Sequence, residues 1–157
     1  MAELTDSQPY AGALEAVDRI LNRESEPDEV LLQVVGTLHA KLPYYRRVSL
    51  YFVEEDELLL GPSAGENPAE RSRPSVGEDS IKAAVSHRSV QIENDVARID
   101  APVIFEGQVV AVIDVESNEP NVFGEADQAF LERVARLVSA HCLVGWDTGG
   151  VPWSDVV

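Results

Sequence analysis

Sulfur and positive charge are the two things this chain has least of. Cys142 is the single cysteine among 157 residues, so no intrachain disulfide and no cysteine-based metal cluster can form. It sits in an apolar helical run, where a free cysteine ordinarily serves as a small core residue. Lysine occurs only as Lys41 and Lys82, and all cations together number 12 against 28 acids, a net charge of −16. Phosphate backbones and anionic lipid headgroups are recognised by clustered cations, so nucleic acid and membrane surfaces are excluded as expected partners. No apolar run is long enough to span a bilayer. MAELTDSQPY has neither a basic n-region nor an apolar h-region, so no signal peptide is expected and the expected location is the cytoplasm. His39, His87 and His141 are scattered without ligand spacing, which leaves no metal site to expect.

What the chain does have is an ordinary globular composition, 45% hydrophobic and 25% charged, at the size of one domain. A single domain over 1–157 is expected, with a core of about 9–144 and a tail from 145. Apolar residues at helical spacing (Leu14, Val17, Ile20, Leu21) predict a helix over Pro9–Asn22. Ser25-Glu26-Pro27-Asp28-Glu29 reads as a second helix start, with proline and acids in the first turn, and Leu42-Pro43 as its stop. Arg47–Val53 and Glu57–Leu60 predict a hairpin, followed by a loop over Gly61–Asn67 and a short strand over Glu70–Pro74. Val76–Ser80 leads into a third helix through Ile81, Ala84 and Val85. Ser89–Ile92 predicts a short strand, and Glu93–Asp100 a connection.

Pro102–Phe105 and Gln108–Val115, rich in Val and Ile, predict a second hairpin turning at Glu106-Gly107. Its second strand is apolar until Asp114 and Glu116, whose side chains fall on one face because Val115 between them points the other way. Gly124-Glu125-Ala126-Asp127 opens a last helix to about Val144, with a wide apolar face. The tail carries both tryptophans, Trp146 and Trp153, which suggests that it packs on something. The order of elements predicts an α+β fold, an antiparallel sheet with helices packed on it.

Three stretches resemble a known family. ELLLGPSAG (Glu57–Gly65), PVIFEGQVVAVIDVES (Pro102–Ser117) and VFGEADQAFLERV (Val122–Val134) are similar to GAF domains, and within these to the free methionine-(R)-sulfoxide reductases. The similarity covers roughly Arg47 to Val138. It implies a central sheet of five or six strands, with the N- and C-terminal helices together on one face. It also implies a homodimer through those helices. In that family cysteines do the chemistry, one attacking the sulfoxide and others resolving the sulfenic acid. Here Glu70 and Ser80 stand where two of those cysteines would sit, and the loop carrying the third is missing between Asp95-Val96 and Pro102. Arg98 replaces a family glutamate, whereas Asp114 and Glu116 match its substrate-binding acids and Tyr51 an aromatic lining position.

The expected pocket residues are therefore Tyr51, Ser80, Arg98, Asp114 and Glu116, with no catalytic residue and no cofactor. Arg98 opposite the acids would suit a small zwitterion; alternatively, Asp114 and Glu116 cap a strand end and Asp114 pairs with Arg98. No nucleophile-elbow pattern surrounds Ser80, so a serine hydrolase using His87 is not expected. Haem or bilin has no suitable cysteine or histidine. The leading expectation is a non-catalytic sensor or regulatory domain that binds an amino-acid-like molecule and acts through another protein. The alternatives are a reductase with altered chemistry and a purely structural dimerisation module.

Overall fold

The structure, a computed structural model, describes residues 2–22, 27–54, 57–65, 74–93, 97–119 and 121–142, without the side chains of 2–9, 27–28, 74–80, 93 and 142. The tail with Trp146 and Trp153, the turn at Glu55-Asp56 and the expected strand at Glu70–Pro74 (except Pro74) lie outside the described residues. The elements are α1 (Ala2–Leu21), α2 (Pro27–Lys41), β1 (Arg47–Glu54), β2 (Glu57–Gly65), α3 (Pro74–His87), β3 (Gln91–Glu93), β4 (Arg98–Phe105), β5 (Gln108–Glu116) and α4 (Glu125–Cys142). The five strands form one antiparallel sheet in the order β2-β1-β5-β4-β3.

Strand alternation divides the molecule into two faces. Val48, Leu50 and Phe52 of β1, Ile99, Ala101 and Val103 of β4, and Ala111, Ile113 and Val115 of β5 share one core with α1, α2 and α4. The terminal helices thus pack on the same face, as the resemblance implies. The opposite face carries a small cluster of Ile81 and Ala84 from α3 against Val112. Most apolar burial lies on the first face, which leaves the second free to carry charge.

Several boundaries differ from the sequence reading. The β2 strand runs through Gly61 and Pro62 to Gly65, where a loop is expected, because a bulge between the Ser49–Ser63 and Tyr51–Leu60 pairs absorbs them. Proline is tolerated there because β2 is an edge strand. At Gly61 a Cβ would meet the ring of Phe52, so the missing side chain is what lets that ring close over the strand. α1 begins at Ala2 rather than Pro9, a proline costing one internal hydrogen bond without stopping this helix. β3 starts at Gln91 rather than Ser89, and β4 starts at Arg98 rather than Pro102. The hairpin at Glu106-Gly107 is as expected, with φ 52 and 80 at its two turn residues.

Gly65 closes β2 at φ 98, and a Cβ there would overlap the Arg46 carbonyl oxygen. Gly65→Ala is therefore expected to destabilise the fold by about 2 kcal/mol. Gly124→Ala, which meets nothing nearby, should change little by comparison. Urea midpoints of the two variants measure the contrast.

Candidate functional site

The second face is built from three rows across β1, β5 and β4. Register places Arg47, Glu116 and Arg98 in the first row, Ser49, Asp114 and Asp100 in the second, and Tyr51, Val112 and Pro102 in the third. The first six of these residues are buried, and Tyr51 is half-buried. Two guanidinium groups and three carboxyl groups are thus held against the sheet with little access to water. Burying charge is costly without pairing, so the geometry of the pairs decides how the face is stable at all.

Arg98 holds the centre. Its Nη2 donates to Glu116 Oε2 at 2.5 Å, and its Nε lies 3.4 Å from Asp114 Oδ1. Arg47 Nη1 reaches the same Glu116 oxygen only at 4.0 Å. Two cations cannot neutralise three ionised carboxyls, and Asp114 is where the excess shows. Burial raises its pKa, a hydrogen bond with Asp100 and the Arg98 charge pull it down, and the net shift is upward. Asp100 and Asp114 are cross-strand partners, so their carboxyls lie side by side in the second row. Burial would lower the Arg98 pKa, but Asp114, Glu116 and Asp100 outweigh it and hold the guanidinium charged. The Tyr51 hydroxyl is also raised, chiefly by burial and then by Asp114, so it is a neutral donor.

Hydrogen-bonding capacity on this face is left unused. Arg98 Nε and Nη1 and Arg47 Nε are buried without a hydrogen-bond partner among the described residues, and Asp114 has none beyond its contact with Asp100. The 3.4 Å ion pair is therefore a charge contact without hydrogen-bond geometry. Each buried group of this kind ordinarily costs about 1–3 kcal/mol, so donors and acceptors side by side are chemically a socket for something polar of both signs.

Of the residues expected to line a pocket, the structure brings together Arg98, Asp114, Glu116 and Tyr51. Ser80 belongs to α3, but its side chain, like Glu70, lies outside the described residues. Sequence reasoning missed Arg47, Ser49 and Asp100. The sequence does carry a signal for Asp100: Arg98-Ile99-Asp100-Ala101 alternates polar and apolar as a strand does.

A second polar cluster lies at the other end of the molecule. The hydroxyls of Tyr10, Tyr44 and Tyr45 converge on Asp127 Oδ1 at 3.1, 2.5 and 2.8 Å, while its Oδ2 accepts from the Gly124 N–H at 3.0 Å. Asp127 is thereby half of a capping box at the start of α4, tying α1, the α2–β1 connection and α4 together. Burial, followed by the bond to Asp127 for Tyr44 and the charge of Asp127 for Tyr45, raises both phenol pKa values, so both remain donors. Rings of Tyr44, Tyr45, Phe123 and Phe130 pack around it. The group is a structural tie.

A small antiparallel sheet with terminal helices on one face, and a polar face under a shorter helix on the other, defines an α+β module of the kind that holds small molecules in sensors and regulators. This chain belongs to the GAF domain family, whose sequence profile matches residues 24–141. It is similar to GAF domain-containing protein A of Dictyostelium discoideum, 25% identical over 146 residues, covering 83% of this chain and 90% of that protein. Among solved structures it is similar to the free methionine-R-sulfoxide reductase of Neisseria meningitidis in complex with its substrate. That match has a TM-score of 0.75 at 19% identity, covering 88% of this chain and 90% of that one. The GAF domain of a phosphoenolpyruvate-protein phosphotransferase from Coxiella burnetii matches with a TM-score of 0.76 at 17% identity, covering 91% and 98%. At such identities the structures establish the fold. Among the described residues, no helix is long and apolar enough to cross a membrane.

Proposed function

We propose that this GAF domain is a regulatory module that binds a small zwitterion, of amino-acid size, on the Arg47–Arg98–Asp114–Glu116 face without turning it over. The observation that carries the reading is the unused hydrogen-bonding capacity around Arg98 and Asp114. A carboxylate on the guest can take the open Arg98 and Arg47 N–H groups in the planar geometry that guanidinium favours. An ammonium group can take the Asp114 oxygens. Binding then proceeds by exchange, the guest's carboxylate and ammonium loosening the Arg98–Asp114 contact. That a related reductase fold is known holding its substrate supports a guest of this size.

Sulfoxide reduction needs a thiolate and a thiol to resolve the product. Cys142 is the only sulfur nucleophile, and it stands on α4, which packs on the opposite side of the sheet. This supports a binding role over a reductase with altered chemistry. Homodimerisation through α1 and α4, and transmission to a separate protein partner in the cytoplasm, complete the proposed role.

A thermal-shift screen of free amino acids, methionine sulfoxide and cyclic nucleotides tests it. A guest at 100 times its Kd stabilises by about 2.7 kcal/mol, raising the melting temperature by several degrees in a domain of this size. A shift with a zwitterion, and none with cyclic nucleotides, is expected. No shift with any compound would leave a structural dimerisation module. Thiol-dependent consumption of methionine sulfoxide would restore the enzyme.

A further inference from the structure

The sheet has a second opening, away from the charged face, where β4 outruns its neighbour. β3 covers β4 only from Arg98 to Asp100, leaving the outer edge of Ala101–Phe105 without a strand among the described residues. Proline explains the stop. The Ala97 carbonyl accepts from Ser117 N–H on the β5 side, so alternation turns the backbone of Pro102 to the outer edge, where it has no N–H to offer. The residues before β3 do not pair with β4, and a cavity of about 300 Å³ remains between the end of α3, the β4 edge and α4.

The lining of this cavity has two halves. Val90, Pro102, Ile104 and Ala135 make an apolar wall, and Arg88 and Arg136 stand at its rim, with Glu132 the only acid. In a chain with 12 cations and 28 acids, most cations would be expected to find partners. Neither of these guanidinium groups has an ion pair among the described residues.

Arg88 is also held at a backbone cost. It follows the last residue of α3, its N–H bonding to the Ala84 carbonyl at 2.9 Å, and its φ is 56. That is the left-handed position at a helix end, where glycine is the unstrained residue. A long cationic side chain kept where glycine fits better points to a use for it.

We propose that this cavity is a second binding site, for a small amphipathic anion whose aryl or alkyl body lies on the Pro102–Ala135 wall and whose phosphate or carboxylate is held by Arg88 and Arg136. It is separate from the zwitterion site: the ligand lies at the β4 edge, and bridges α4 to the end of α3. Both charge and apolar body are needed, since exposed guanidinium groups alone hold anions weakly.

Phenyl phosphate is the probe, followed by amide chemical shifts of the ¹⁵N-labelled full chain, with inorganic phosphate and phenol as partial probes. Saturable shifts at Ser89, Val90, Ile104 and Ala135 are expected, with phenyl phosphate binding tighter than either partial probe. Raising the salt should weaken it. Arg136→Gln and Arg88→Gly should each weaken binding about tenfold or more. Arg88→Gly also removes the left-handed strain, so it should melt no lower than the wild type. Loss of binding in that variant therefore cannot be put down to unfolding. The proposal is overturned if phenyl phosphate fails to saturate, if it binds equally to both variants, or if either partial probe binds as tightly. Shifts confined to the Asp114 and Glu116 strand end would overturn it as well.

Discussion

Arg98→Ala is expected to cost about 3–5 kcal/mol, the range for removing one partner of a buried ion pair. The substitution leaves Glu116 and Asp114 buried beside Asp100, with Arg47 no closer than 4.0 Å to Glu116. Against a typical domain stability of about 5–15 kcal/mol, that is a large share. Urea denaturation at neutral pH measures it, and Arg98→Ala combined with Asp114→Asn should recover part of the loss by removing one uncompensated charge. Asp114→Asn alone should cost far less than Arg98→Ala, because burial already disfavours the ionised carboxyl that the amide replaces.

The pH dependence has a definite sign. Asp114 has a raised pKa in the folded protein, chiefly through burial, so the folded state binds the proton more tightly than the unfolded chain. Its contribution to stability is complete below the unfolded aspartate value and is lost as the pH rises through the raised one. Arg98 is one of the influences that lower that pKa, so removing Arg98 raises it further. The deficit of Arg98→Ala should accordingly shrink as the pH falls from neutral towards the ordinary carboxylate range. A deficit independent of pH would show that Arg98 acts by packing rather than charge.

Asp127→Ala should be comparably damaging, at about 3–5 kcal/mol. Three tyrosine hydroxyls and the Gly124 N–H lose their common acceptor, and hydrogen bonds to a charged group contribute about 1.5–3 kcal/mol each. The sum is not reached, because Tyr10 and Tyr44 are only half-buried and can turn to water. Asp127→Asn keeps an acceptor and should cost roughly half as much or less. Tyr45→Phe should cost about 1 kcal/mol. Denaturant midpoints separate the three, and equal losses for Asp127→Ala and Tyr45→Phe would show that Asp127 is not the hub.

Much of the fold was legible because its elements announce themselves locally. Val109–Ile113 is apolar without interruption, as a central strand covered on both sides should be, and Glu106-Gly107 supplies the positive φ of a two-residue turn. The errors fall where a local signal was outvoted. Gly61-Pro62 reads as a loop on its own, and only the bulge against β1 makes it strand. Arg98–Asp100 reads as part of the Glu93–Asp100 connection, and only its register with β3 and β5 makes it strand. Asp127 marks a helix start in the sequence, but nothing there says that tyrosines 82, 83 and 117 positions away would meet on its carboxylate.

Residue spacing and counts alone determined that this is an α+β chain, that Asp114 and Glu116 share a face, and that one thiol is too few for a thiol relay. Periodicity and atom counts are properties of the chain itself and need no partner strand to be true. Only the tertiary structure decided that Arg98, Arg47 and Asp100 join those acids, because cross-strand neighbours are set by register between distant segments. A charge buried on a sheet acquires its protonation state and its purpose from whatever the next strand places beside it.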